Sequence, residues 1–90
     1  MKTLDQLLGP SKKLQVLDLF LQNPEELMNL REIARRLDKN PGSITLALPV
    51  LVERNYITHT KIGAKIVAYQ LNKDNKTIQH IQHLLNQTEQ

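Results

Sequence analysis

The 90 residues predict an α+β fold, mostly helical: a three-helix core and a β-hairpin, with an additional N-terminal helix turn and a C-terminal helix. Three observations lead there. Apolar residues recur at helical spacing in stretches bounded by Asn, Pro or Gly. Two helix-opening signals, Asn29 with Glu32 and Asn40 with Pro41, stand close enough that two short helices must be joined by a tight turn. Directly after them, residues 56–61 and 65–71 are β-branched or alternating and meet at Ile62, Gly63 and Ala64, where Gly63 supplies the positive φ a hairpin turn needs.

Each element follows from local chemistry. Thr3 and Gln6 fit a capping box for a short N-terminal helix that Gly9 ends. Pro10 suits the start of a helix running to Gln22, with Leu14, Leu17, Phe20 and Leu21 as its core face, and Asn23-Pro24 stops it. A short edge strand is expected at residues 27–30. A helix over residues 30–37 turns Ile33, Ala34 and Leu37 inward and Arg31, Arg35 and Arg36 outward. Asn40 caps the next helix, expected over residues 41–54, whose core stripe is Ile44, Leu48 and Leu51. Pro49 deletes the hydrogen bond to the Thr45 carbonyl, which costs about 3 kcal/mol in a helix interior unless the helix kinks or breaks. The last helix, over residues 74–87, carries an apolar stripe of Ile78, Ile81, Leu84 and Leu85. The chain is read as a single domain over 1–90, with core and wing in 10–71 and a C-terminal dimerisation helix in 74–87.

Composition removes several function classes. There is no cysteine, so disulfides, thiolate metal sites and a Cys nucleophile are excluded. Aromatic residues make up only 3%, too few for a stacking platform on single-stranded nucleic acid. No run approaches the roughly 20 apolar residues of a membrane span. The N-terminus has no apolar segment resembling a signal peptide. A complete small gene product in the cytoplasm is expected. No metal cluster, glycine-rich phosphate loop or nucleophile with a base stands out, so no enzyme activity and no cofactor is expected.

Charge is distributed unevenly. Residues 31–65 hold seven cations against three acids, a net of +4, within a chain whose net charge is +3. Residues 1–30 carry a net of −1, and residues 66–90 balance. Positive charge is thus concentrated on the helix pair and hairpin, as a phosphate-binding surface requires.

The sequence LREIARRL, Asn40-Pro41 opening a helix, the segment LVERNYI ending at Ile57 and the hairpin ending VAYQL at Leu71 together resemble the winged helix-turn-helix transcriptional regulators of bacteria and archaea, the broad group including ArsR-like and MarR-like families. The resemblance covers roughly residues 13–71. It implies double-stranded DNA as partner, a recognition helix in the major groove, a wing gripping the flanking minor groove or backbone, and terminal helices that build a homodimer. A sequence-specific transcriptional regulator, most simply a repressor, is the expectation; a winged-helix adaptor between proteins is the alternative. Carried over residue by residue, Ser43, Thr45, Leu46 and Pro49 occupy groove-facing positions, and Asn40, which opens that helix, is counted with them as a DNA-binding residue. Arg31, Arg35, Arg36 and Lys39 stand where phosphate contacts fall, and His59, Lys61 and Lys65 belong to the wing. Leu4, Leu7, Leu8, Ile78, Ile81, Leu84 and Leu85 are the expected dimer interface. A small-molecule effector, an operator and the regulated genes are not legible.

One departure stands out. From Pro41 to Val52 there is no Lys, Arg, Asn or Gln, the residue types that make most bidentate contacts to base edges. Leu46, Pro49 and Val50 instead form an apolar strip. It can touch thymine methyl groups, be covered by a partner or second subunit, or be surface without consequence. The arginines can be an ordinary solvated face, and the wing lysines can serve to protect an edge hairpin. His80 and His83 are spaced to reach one metal ion, but with no further ligand in register they read as solvated helix surface. The C-terminal stripe is either a dimer seam or packing onto the first helix.

Overall fold

The computed structural model describes residues 11–88, so the expected N-terminal helix turn with Thr3, Gln6 and Gly9 lies outside the described residues. Helix α1 spans Lys12–Gln22. It begins two residues later than Pro10 because Ser11 is the cap, its hydroxyl accepting from the Leu14 N–H at 3.2 Å. Val16 and Phe20, one turn apart, are fully buried, with Leu17 and Leu21 packed beside them. Leu14, expected in the core stripe, is 43% exposed. It stands two residues before Val16, about 200° around the helix, and so points away from the core line.

Strand β1 (Met28–Asn29) leads straight into helix α2 (Leu30–Leu37), whose bounds are those expected. Asn29 caps it by accepting from the Glu32 N–H at 2.9 Å. Ile33 and Ala34 are buried, and Asp38 ends the helix in the left-handed region at φ 54°. Asn40 then caps α3 (Pro41–Ile44) by accepting from the Gly42 N–H at 2.9 Å, with Pro41 in the first position.

The long helix expected over residues 41–54 is broken. A second segment, α4, runs Ala47–Glu53, and Thr45 and Leu46 form the joint. Pro49 supplies the reason. It has no N–H for the Thr45 carbonyl, so a continuous helix would carry a missing bond and a ring clash. Restarting at Ala47 places Pro49 in a first turn, where backbone N–H groups have no intrahelical partner. The break leaves Ile44, Ala47, Leu48 and Leu51 buried in one core.

Asn55, at φ 63°, turns the chain out of α4, and the Tyr56 N–H closes onto the Leu51 carbonyl at 3.0 Å. Strands β2 (Ile57–Ile62) and β3 (Ile66–Leu71) form the hairpin in register Ile57↔Leu71 to Ile62↔Ile66. Gly63 at φ +71° makes its turn. The sheet is antiparallel in the order β1-β3-β2, with Met28 opposite Tyr69 and Asn29 opposite Ala68. Of β2 only Ile57 is buried; the rest is an exposed, largely polar edge.

Helix α5 spans Lys76–Thr88 and starts two residues later than expected, because the Asn75 side chain is the cap and accepts from the Ile78 N–H at 3.0 Å. Asn72 and Asn75 both donate to the Asn55 carbonyl, at 2.8 and 3.0 Å, tying the base of the hairpin to the start of α5. Ile78 is 0% exposed and belongs to the common core with Val16, Phe20 and Leu51. The expected seam of α5 therefore loses its first member: Ile78 is buried inside its own chain, whereas Ile81 is half-buried and Leu84 and Leu85 are exposed.

Candidate nucleic-acid interface

The two segments α3 and α4 present an outer surface set by their local hydrogen bonds. The Asn40 side-chain oxygen accepts from the Gly42 N–H. The Ser43 hydroxyl donates to the Asn40 carbonyl at 2.7 Å, and the Thr45 hydroxyl donates to the Pro41 carbonyl at 3.0 Å. Both hydroxyl protons are thus held by the chain itself, while both oxygens keep lone pairs that accept nothing among the described residues. Leu46 is 82% exposed, more than any other large apolar side chain described, and Pro49 beside it is exposed. The absence of Pro49's N–H, which breaks the helix, is what places Leu46 in the joint.

Leu46, Ala47 and Val50 form one wall of an open groove of ≈ 870 Å³ whose other wall is the start of α1, with Leu14 and Leu17. Lys12, Lys13 and Arg54 also line it, and among the described residues no acidic side chain does. Lys12 and Lys13 escape sequence reasoning, which counts Arg54 in the basic stretch but gives it no place in the site. Lys12 and Lys13 lie in a stretch whose net charge is negative, and only folding brings α1 beside the α3–α4 segment. Among the described residues none of the three forms an ion pair.

The arginines of α2 are not equivalent. Arg35 meets Glu32 with two bonds, Nε to Oε1 at 3.0 Å and Nη2 to Oε2 at 2.6 Å. Arg36 donates to Glu32 at 2.5 Å and also to Glu26 in the connector. Hydrogen bonding from Arg35, then from Arg36, lowers the Glu32 carboxyl from 4.5 to about 2. Glu26 first and Glu32 second raise Arg36, and Glu32 raises Arg35. Arg36, with its side chain 28% exposed, braces α2 against the connector, whereas Arg35 at 71% reaches into solvent. Arg31, Lys39, Lys61 and Lys65 are exposed and form no ion pair among the described residues. Four of the six expected phosphate contacts are therefore open, and two are engaged within the chain.

At the wing, Lys61 and Lys65 flank the terminal pair Ile62 and Ile66, which are 48% and 51% exposed, and His59 is exposed farther down β2 opposite Tyr69. Glu25 and Glu26 have structural partners: Glu25 meets Lys73 at 2.6 Å and Glu26 meets Arg36. On α5 His83 lies 3.1 Å from Gln87. Among the described residues no three His, Cys, Asp or Glu side chains group as metal ligands. No helix among them is long and apolar enough to cross a membrane. Leu4, Leu7 and Leu8 lie outside the described residues.

Comparison with known proteins agrees with this layout. The sequence model of the IclR helix-turn-helix domain matches residues 11–61, more than half of the chain. Reduced HlyU from Vibrio cholerae superposes with a TM-score of 0.66 at 20% identity, over 94% of this chain and 83% of that one. The homodimeric winged helix-turn-helix DNA-binding domain of Mb0332 from Mycobacterium bovis, a possible ArsR-family regulator, gives 0.63 at 17% identity, over 96% and 74%. Lactococcus lactis ZitR in complex with DNA gives 0.61 at 17% identity, over 82% of this chain and 52% of that one. ZitR is a zinc-responsive MarR family member. At these identities the likeness is one of fold. No curated protein sequence matches. With its capped helix pair, hairpin wing and matching sequence model, the chain belongs to the IclR helix-turn-helix domain family, winged helix-turn-helix DNA-binding regulators of transcription and not enzymes.

Proposed function

We propose that the protein is a homodimeric, sequence-specific binder of double-stranded DNA in the cytoplasm that represses transcription by occluding a promoter. The observation that carries this reading is the set of open cations, Arg31, Lys39, Lys61 and Lys65, placed on the helix pair and wing of a winged helix-turn-helix fold. In the proposed complex α3, its joint and α4 enter the major groove, and the wing lies along the neighbouring backbone. Two such units read half-sites about 34–36 Å apart. The second unit is brought in by α5, through Ile81, Leu84 and Leu85. The homodimeric state of the Mycobacterium bovis domain supports this arrangement by analogy of fold. Backbone contacts supply most of the affinity and make it fall steeply with salt.

Fluorescence anisotropy against a pool of duplexes across a range of salt concentrations tests the proposal. Tight, salt-dependent binding with a preferred fragment is expected. Equal weak binding to all fragments would make the protein architectural. No binding at low salt would remove DNA as its partner.

One observation favours a second reading, an adaptor between proteins. The groove beside Leu46 combines apolar walls with Lys12, Lys13 and Arg54, a combination that suits an acidic, amphipathic protein segment. Binding of such a segment by a protein that ignores DNA would establish it.

A further inference from the structure

Resting on the DNA-binding reading above, we propose that the joint between α3 and α4 selects A·T base pairs, with Leu46 against the thymine methyl and the Ser43 and Thr45 oxygens accepting from the adenine amino group. The argument begins with what the surface lacks. Guanine offers only acceptors in the major groove, N7 and O6, and reading it takes a donor. Residues 41–52 contain no Lys, Arg, Asn or Gln. The donors that do exist are engaged: Ser43 with the Asn40 carbonyl at 2.7 Å, Thr45 with the Pro41 carbonyl at 3.0 Å. The nearby amide side chain of Asn40 stands at the cap of α3, outside the joint, where its oxygen accepts the Gly42 N–H. At the purine position guanine sets its O6 acceptor against the hydroxyl oxygens where adenine sets its N6–H donor, so guanine gains no bond there in return for the water it loses, which is unfavourable.

An A·T pair meets the same surface with the complementary set. Adenine N6 carries a donor and thymine C5 carries a methyl group. The two hydroxyl oxygens retain accepting capacity, and both residues are exposed. Leu46, 82% exposed in the joint, is an apolar side chain that only a methyl-bearing edge complements, and Pro49 extends the apolar surface. The helix break creates the arrangement. It places Leu46 just ahead of α4 while Ile44 and Ala47 on either side remain in the core.

Selection from duplexes with a random core identifies the preferred sequence, and the bound duplex is then resynthesised with deoxyuridine in place of thymidine. A·T pairs are expected at the positions under the joint. Removal of each contacted methyl should weaken binding about fourfold, in keeping with the burial of one carbon. In Leu46→Ala, whose fold is unaffected because the side chain is exposed, the difference between thymine and uracil should disappear. Thr45→Val keeps the shape, removes the acceptor and should relax the preference for adenine. A G·C-rich selected core, or wild-type binding indifferent to the thymine methyl, overturns the proposal while leaving DNA binding intact. Failure to bind any duplex at low salt overturns the underlying DNA reading instead.

Discussion

Ile78 and Leu84 lie on one apolar stripe of α5, yet the fold gives them opposite roles, and alanine at each position separates those roles. Ile78 is 0% exposed and sits in the core with Val16, Phe20 and Leu51. Truncating a fully buried isoleucine removes its transfer free energy and leaves a cavity, together about 2–5 kcal/mol. A domain of this length has a total stability of about 5–13 kcal/mol at roughly 0.05–0.15 kcal/mol per residue. Ile78→Ala thus removes a large share of it and should lower the Tm by at least about 8 °C, since about 1 kcal/mol shifts a domain of this size by 4–8 °C. The loss should be the same at low and high protein concentration. Leu84 is 46% exposed, so Leu84→Ala should cost the isolated chain about 1 kcal/mol or less. In a two-fold dimer the same truncation acts twice, and dimerisation should weaken about tenfold or more. Thermal unfolding by circular dichroism at two concentrations, with sedimentation equilibrium, measures both. If Ile78→Ala unfolds within about 2 °C of the wild type, Ile78 is not a core residue. If Leu84→Ala leaves a dimer unchanged, α5 is not its seam.

Three further outcomes are expected. Lys61→Ala with Lys65→Ala should weaken binding to every duplex and reduce the slope of log K against log salt by about 0.9 for each phosphate that the variant no longer neutralises; an unchanged slope in the anisotropy titration removes the wing from the interface. Glu32 titrates at about 2 in the fold against an ordinary 4.5, because Arg35 and Arg36 hold its ionised form. Its folded value lies below the unfolded one, so its contribution to stability is complete above about 4.5 and is lost as pH falls through about 2. Glu32→Gln should therefore flatten the loss of stability across that window in acid-unfolding curves, and identical curves would show that the ion pairs do not persist in solution. Gly63 has φ +71° and open space where a Cβ would lie. Gly63→Ala should therefore cost only backbone strain, about 1–2 kcal/mol of stability in denaturant titration, and a stabilised variant would refute the turn geometry.

The sequence by itself determined what depends on neighbours along the chain. Asn29 and Asn40 announce their helices because a capping side chain bonds backbone only two or three residues away. Gly63 marks the hairpin because few other residues accept its φ. Those signals were enough for the winged helix and its element order, and the segments around them for the broad group of winged helix-turn-helix regulators, though not for the IclR helix-turn-helix family within it. Pro49 announced a defect but not its position, since the helix gives way at Thr45 and Leu46, where the carbonyl is left without a donor. Only the tertiary structure decided the rest. Which leucine of α1 faces inward depends on how the helix is rotated against its partners, and that rotation exposed Leu14 and buried Val16. Arg36 is engaged because the connector brings Glu26 beside α2. Lys12 and Lys13 join the surface beside Leu46 because α1 packs against α4. Ile78 left the expected dimer seam because the chain turns at Asn75 and lays the first turn of α5 on the core. Each of these is a contact between residues distant in sequence, and periodicity along one helix carries no information about which neighbour will cover it.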